Sequence, residues 1–226
     1  MSNSKPISRR SMLRIASAAI LGGVSHSVVV AGNRIPLTPA QTEGPFYPEK
    51  DQADKDVDLT IINGQSKRAE GEVIEVSGHV FNRQGAPVVN ALVEIWQANK
   101  WGRYSHSKDP NTAPLDANFQ GWGQVQTDNK GLYKFKTITP GAYPASPIWM
   151  RPPHIHFKVW VRDVIVLTTQ MYFPGNKLNA DDQILNRLSF EERGKLIAEV
   201  KDNEDKKSDV VKICKFDMVI QPTSIV

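Results

Sequence analysis

Cysteine is nearly absent from this chain: Cys214 stands alone among 226 residues. No disulfide can form within the chain, and no metal cage of several thiolates can be built. Cys214 lies in Val210-Val211-Lys212-Ile213-Cys214-Lys215-Phe216 and reads as a buried or edge strand residue, not as a nucleophile. Acidic residues are missing from the first 31 positions, which carry Lys5, Arg9, Arg10 and Arg14. Without that segment, 24 basic and 24 acidic residues remain. The overall charge of +4 is therefore a property of the leader and gives no support for nucleic-acid binding. No unbroken apolar run suits a membrane span: Ile15 to Val30 is short and interrupted by Gly22, Gly23 and Ser25 to Ser27. Internal repeats and low-complexity tracts are also lacking. No helix carries the His-x-x-x-His spacing of zinc proteases.

What is present begins with that leader. Ser8-Arg9-Arg10-Ser11-Met12-Leu13-Arg14 precedes a mildly apolar stretch, and Val29-Val30-Ala31 offers small residues for cleavage. This resembles a twin-arginine export signal over residues 1–31, so an exported, periplasmic protein is expected. Residues 32–226 are expected to form one domain, with residues 32–72 as an extended arm rich in Pro, Asp and Thr. From Val73 onward, short strand-like runs alternate with turn signals. Val73–Val80, Ala91–Gln97, Leu132–Lys136, His154–Val161 and Val164–Phe173 are the strand candidates, the last two as a pair. Arg83-Gln84-Gly85-Ala86-Pro87 and Asp128-Asn129-Lys130-Gly131 read as turns, the second hairpin-like. One helix is expected from Phe190 to Val200, opened by the capping box of Ser189 and Glu192. A last strand is expected from Val210 to Ile220. The fold class that follows is all-β: a sandwich of short strands with long loops and one or two short helices.

The chemistry concentrates between Pro140 and Phe157. His154 and His156 are two apart in a strand-like run, and positions i and i+2 of a strand share a face. Both imidazoles then enter one space, as two ligands of one metal would. Beyond the leader, the other histidines are His79, in a regular strand, and His106. Tyrosine is the remaining ligand type of interest. Tyr143 lies between Gly141 and Pro144 on the approach to the histidines, and Tyr104 follows the strand ending at Trp96-Gln97. On residue types alone, a metal hydrolase using zinc or copper and a non-enzymatic β-sandwich binding module remain open.

Six segments resolve the choice by resemblance. They are Thr42–Pro48, Val93–Asn99, Gly102-Arg103-Tyr104, Phe119-Gln120-Gly121, Pro140–Pro144 and Arg151–Phe157. In this order they resemble the intradiol ring-cleavage dioxygenases, and within them the β-subunit type of protocatechuate 3,4-dioxygenase. The resemblance implies a non-haem Fe(III) held by Tyr104, Tyr143, His154 and His156, with Tyr143 and His156 axial and Tyr143 the ligand that leaves when substrate binds. It implies a catechol substrate, O2 as co-substrate and a cis,cis-muconate-type product. Arg151 and Gln170 match pocket residues, Arg151 as the group that stabilises developing negative charge. All four implied ligands stand in one chain, so a homo-oligomer is an expected active form. Two departures touch the pocket: Ala145 stands where the family's protocatechuate enzymes carry an aromatic wall, and the segment Ala145 to Trp149 is shortened.

Overall fold

A computed structural model describes residues 34–221; the expected export signal, residues 1–31, lies outside them. Among the described residues, no helix is long and apolar enough to cross a membrane. The architecture is mostly strand. β1 (Val73–Asn82) alternates half-buried and buried positions, with Ile74, Val76 and Val80 inward. This period of two lets one face enter a core while the other meets water. β2 (Leu92–Trp96), β3 (Trp122–Gln126) and β4 (Leu132–Ile138) follow, then the short hairpin of β5 (Tyr143–Ser146) and β6 (Trp149–Arg151). β7 (His154–Val161) and β8 (Val164–Tyr172) pair antiparallel, as their sequences predict. The remaining elements are α1 (Phe190–Gly194), β9 (Glu199–Asp202), β10 (Lys212–Lys215) and β11 (Met218–Ile220).

Two sheets carry the fold. In the first, β1 pairs with β4 on one side and with β10 and β11 on the other, and β9 lies outside β10. The second runs β3-β2-β7-β8. Their inner faces meet: Ile74, Val76, Tyr133 and Phe135 from the first cluster with Val93, Ile95, Ile155, Phe157 and Val159 from the second. Phe157 lies 5.8 Å from Tyr133 and 5.1 Å from Phe216 between ring centroids. Each such side chain, fully buried, contributes about 1.5–3 kcal/mol. Cys214 is part of this core, where burial pushes its thiol up to about 12, so it is inert near neutral pH.

Three sequence expectations change. Asp128–Gly131 is a turn, with Asp128 Oδ1 accepting from the Lys130 and Leu132 amides and Gly131 at φ +76°. It joins β3 to β4, which lie in different sheets, so it is a crossing and not a hairpin. The helix expected from Phe190 to Val200 stops at Gly194. Its capping box forms, but Leu196 and Ala198 bury themselves along the end of β8, where Leu196 O accepts from Tyr172 N and Ala198 N donates to Tyr172 O. Core burial and these bonds outweigh a further helical turn, and Phe190 is left exposed. The strand expected over Val210–Ile220 is split at Phe216-Asp217. There Asp217 Oδ1 accepts from the His79 amide, 2.8 Å away, and the Tyr133 hydroxyl donates to Phe216 O. These groups take the place of ladder bonds, and the two halves pair with different stretches of β1.

Candidate metal centre

The site lies on the outer face of the second sheet. β7 is buried on both sides: Ile155, Phe157 and Val159 face the core, and His154 and His156 face away from it. Residues directly opposite each other on paired strands share a face. His156 stands opposite Trp96 on β2 and Gln170 on β8, and His154 opposite Tyr172. Trp96 stacks on the His156 ring at 4.7 Å and 9°, fixing its plane.

The tyrosines arrive on two loops that touch backbone to backbone. Asn99 builds the first: its Oδ1 accepts from Trp101 N and Arg103 N, and its carbonyl accepts from Gly102 N and from Gly141 N. Gly102 has φ +79°, and a Cβ there would lie 2.1 Å from Ala142 O. Tyr104 and Tyr143 are thus placed by one glycine contact, with ring centroids 5.6 Å apart. Gly102→Ala should cost about 1–2 kcal/mol through its left-handed backbone alone, and the clash should push both tyrosine loops apart. A lower unfolding midpoint together with lower bound metal per chain is the expected result; a midpoint and metal content equal to the parent's would contradict it.

The arm roofs the centre. Lys158 Nζ, almost fully buried, binds Glu43 at 2.5 Å and lies 3.3 Å from the Tyr47 ring centroid. Tyr47 donates to the buried carboxylate of Glu94 at 3.0 Å. Gln170 Nε2 donates to Thr42 O at 2.9 Å. Between these ties, Phe46 packs on Tyr104 at 4.7 Å. A Cβ on Gly44 would meet the His156 ring at 3.4 Å.

At the focus, Tyr104 Oη is 3.2 Å from His156 Nε2 and 3.5 Å from His154 Nε2, and the two Nε2 atoms are 3.2 Å apart. His154 Nδ1 lies 2.7 Å from Pro152 O, a carbonyl that can only accept. Nδ1 therefore holds the proton, and Nε2 turns a bare lone pair into the cluster. Burial, then the Arg151 charge, drives both imidazoles well below the ordinary histidine range, so they are neutral. Tyr143 lies 5.6 Å from His154 between ring centroids and stands opposite Arg151 across the β5–β6 hairpin. Burial raises both tyrosines above their usual range, with Tyr143 as a second upward push on Tyr104; Arg151 acts against the rise in each.

The donor set fits a hard, highly charged cation. Lone pairs of two neutral imidazoles and a phenol oxygen converge where no protein cation sits between them, and a metal ion is what would satisfy them together. Phenols this buried do not ionise unaided, but a trivalent metal lowers their pKa strongly, and two phenolates offset much of its charge. Among the described residues no three His, Cys, Asp or Glu side chains form a metal cluster, so a full ligand set here requires the tyrosines.

The structure brings Tyr104, Tyr143, His154, His156, Arg151 and Gln170 into this one region. Arg151 ends β6, 3% exposed. Its Nη2 donates to Gln170 Oε1 at 2.6 Å and to Tyr172 Oη at 3.2 Å. Gln170 therefore joins Arg151 to the arm, since its amide nitrogen holds Thr42. His106 stays outside the cluster of nitrogens: Nε2 bonds Tyr47 O and Nδ1 accepts from Lys108 N. His79, on β1, faces Asp217. Three contributors escape sequence reasoning. Tyr172 carries a period-two signal, two positions after Gln170 on β8. Phe46 stands in a motif whose place over the centre only the fold reveals. Asp182, in a polar loop, carries no signal.

An all-β sandwich with a Tyr/Tyr/His/His cluster on its outer face defines a class, that of the ring-cleaving dioxygenases. Residues 42–222 match the family described as Dioxygenase. The chain belongs to the intradiol dioxygenase family, in its protocatechuate 3,4-dioxygenase β-chain branch. It is 42% identical to the protocatechuate 3,4-dioxygenase beta chain of Burkholderia cepacia over 182 residues, 76% of this chain and 77% of that one. It is 29% identical to catechol 1,2-dioxygenase 2 of Acinetobacter lwoffii over 189 residues, which span 76% of this chain and 62% of that enzyme. Among solved structures, the dioxygenase domain of a carbohydrate-binding fusion from Streptomyces sp. SirexAA-E matches with a TM-score of 0.61 at 28% identity. The match covers 82% of this chain and 99% of that domain.

Proposed function

We propose that this chain is a non-haem Fe(III) enzyme that cleaves a protocatechuate-like catechol with O2 between its two hydroxyl-bearing carbons, giving a cis,cis-muconate-type product. The observation that carries this reading is the convergence of Tyr104, His154 and His156 within 3.5 Å of one another, with the Tyr143 ring centroid 5.6 Å from those of Tyr104 and His154. These four side chains would hold the iron. Fe(III) bound there would polarise a catechol held through both oxygens and make its ring carbons reactive toward O2.

The chain's own residues do the rest. Tyr143 stands opposite Arg151 across the β5–β6 hairpin with its ring against Tyr104, and as the phenolate that a bound metal would make of it, it could take a proton from a catechol hydroxyl. Arg151 is raised even above the usual guanidinium range, with Tyr143, Tyr172 and Asp182 outweighing the effect of burial. It is a fixed positive charge beside the oxygens that become negative. Phe46, Trp96 and the arm exclude water and strengthen that charge's effect. The β5–β6 hairpin, with the small Ala145 and the exposed Ile148, would border the ring substituent.

Product analysis tests the reading. Iron-loaded protein supplied with catechol or protocatechuate should consume about one O2 per ring, as the proposed incorporation of both oxygen atoms requires, and release a cis,cis-muconate bearing two new carboxylates. A semialdehyde product, or no oxygen uptake with either compound, would overturn it.

A further inference from the structure

Asp182 is fully buried, in the loop between two 3-10 turns, Lys177–Ala180 and Leu185–Arg187. Its two carboxylate oxygens have separate partners. Oδ1 accepts from the backbone amides of Ile184 and Leu185, at 3.1 and 2.7 Å, which roots the side chain in its own loop. Oδ2 accepts from Arg151 Nε at 2.7 Å. A buried carboxylate is costly unless a charged group and hydrogen bonds compensate it, and this one has both.

The consequence falls on Arg151. A planar guanidinium held at Nη2 alone can still swing about that edge. Held at Nε by Asp182 and at Nη2 by Gln170 and Tyr172, it cannot. Nη1 is engaged by none of the three. We propose that Asp182 is the positioning residue of Arg151, fixing the guanidinium so that it faces Tyr143 and the oxygens of the bound catechol. This rests on the reading that Arg151 stabilises charge on the reacting substrate. Asp182 touches neither substrate nor ligand; it acts through Arg151.

Asparagine separates this role from a structural one. Asp182→Asn keeps an oxygen for the Ile184 and Leu185 amides but turns an amide donor toward Arg151 Nε–H, which is also a donor. Iron-loaded, full-length Asp182→Asn, Arg151→Gln and the double variant would be compared with the parent. The readouts are kcat, anaerobic catechol binding by visible titration, iron content and unfolding midpoint. Misaiming a preorganised donor lowers kcat by about 10²-fold or more. Asp182→Asn should show that loss with iron retained and catechol affinity within about threefold, since the lost interaction belongs to the transition state. In the Arg151→Gln background the same change should alter kcat by less than about twofold, because coupled residues are not additive.

The full loss appearing again in that background would show Asp182 acting independently of Arg151 and overturn the inference alone. An unchanged kcat in Arg151→Gln itself would overturn the reading of Arg151, and the inference with it. Should a single variant fail to fold, the double variant decides, because it leaves no unpaired buried charge. A folded, iron-bearing double variant with kcat about 10²-fold below the parent supports the pairing. An unfolded one makes Asp182 a support for its loop and overturns it.

Discussion

His156→Ala is expected to leave the protein folded but without iron, with turnover lost by more than about 10³-fold. The direction follows from the side chain's place. Its Nε2 is within 3.2 Å of both Tyr104 Oη and His154 Nε2, so it occupies the middle of the donor set. Loss of even an indirect partner of a metal ligand costs about 10–100-fold in affinity, and loss of a ligand itself should exceed that. Folding should survive because His156 lies on the face of β7 away from Ile155, Phe157 and Val159, which carry the sandwich core. The Trp96 ring would lose its stacked partner, a local loss of about 0.5–1.5 kcal/mol. Metal analysis beside an unfolding curve checks both halves. Full iron occupancy with normal turnover would remove His156 from the centre.

Tyr143→Phe should have the second largest effect, of a different kind. Phenylalanine keeps the ring against Phe46, Tyr104 and His154 and loses the hydroxyl alone. Tyr104, His154 and His156 remain, so iron should stay bound. The hydroxyl, ionised by a bound metal, is nevertheless the group beside Arg151 that would accept a substrate proton. Removing a positioned proton acceptor costs about 10²–10⁴-fold, and the expected loss is in the rate of substrate binding and in kcat. Stopped-flow mixing with catechol in the absence of O2 would show the slowed binding directly. Loss of iron from this variant would contradict the dissociable role given to Tyr143.

The sequence makes the fold legible where its period is strict. β1 alternates over most of its ten residues, and β7 and β8 pair as their patterns predict. It misleads where tertiary bonds replace local ones. Apolar residues from Phe190 to Val200 read as helical in spacing, yet Leu196 and Ala198 serve β8 and the core. Phe216-Asp217 interrupts an apolar run because Tyr133 and His79, both distant in sequence, claim its polar groups. The site follows the same division. His154 and His156 are found by spacing, and Tyr104 and Tyr143 by resemblance. No periodicity announces Asp182, 31 residues from Arg151, because the contact exists only after two loops have folded together.

The central claim is a tyrosinate–Fe(III) centre that takes a catechol. One visible spectrum of the purified protein, with iron assayed on the same sample, tests it most directly, before and after catechol or protocatechuate is added without O2. The account predicts a red-brown charge-transfer band in the iron-bearing protein that shifts on binding one catechol per chain. A protein that takes up iron and stays colourless, or one whose band ignores both compounds, would contradict it.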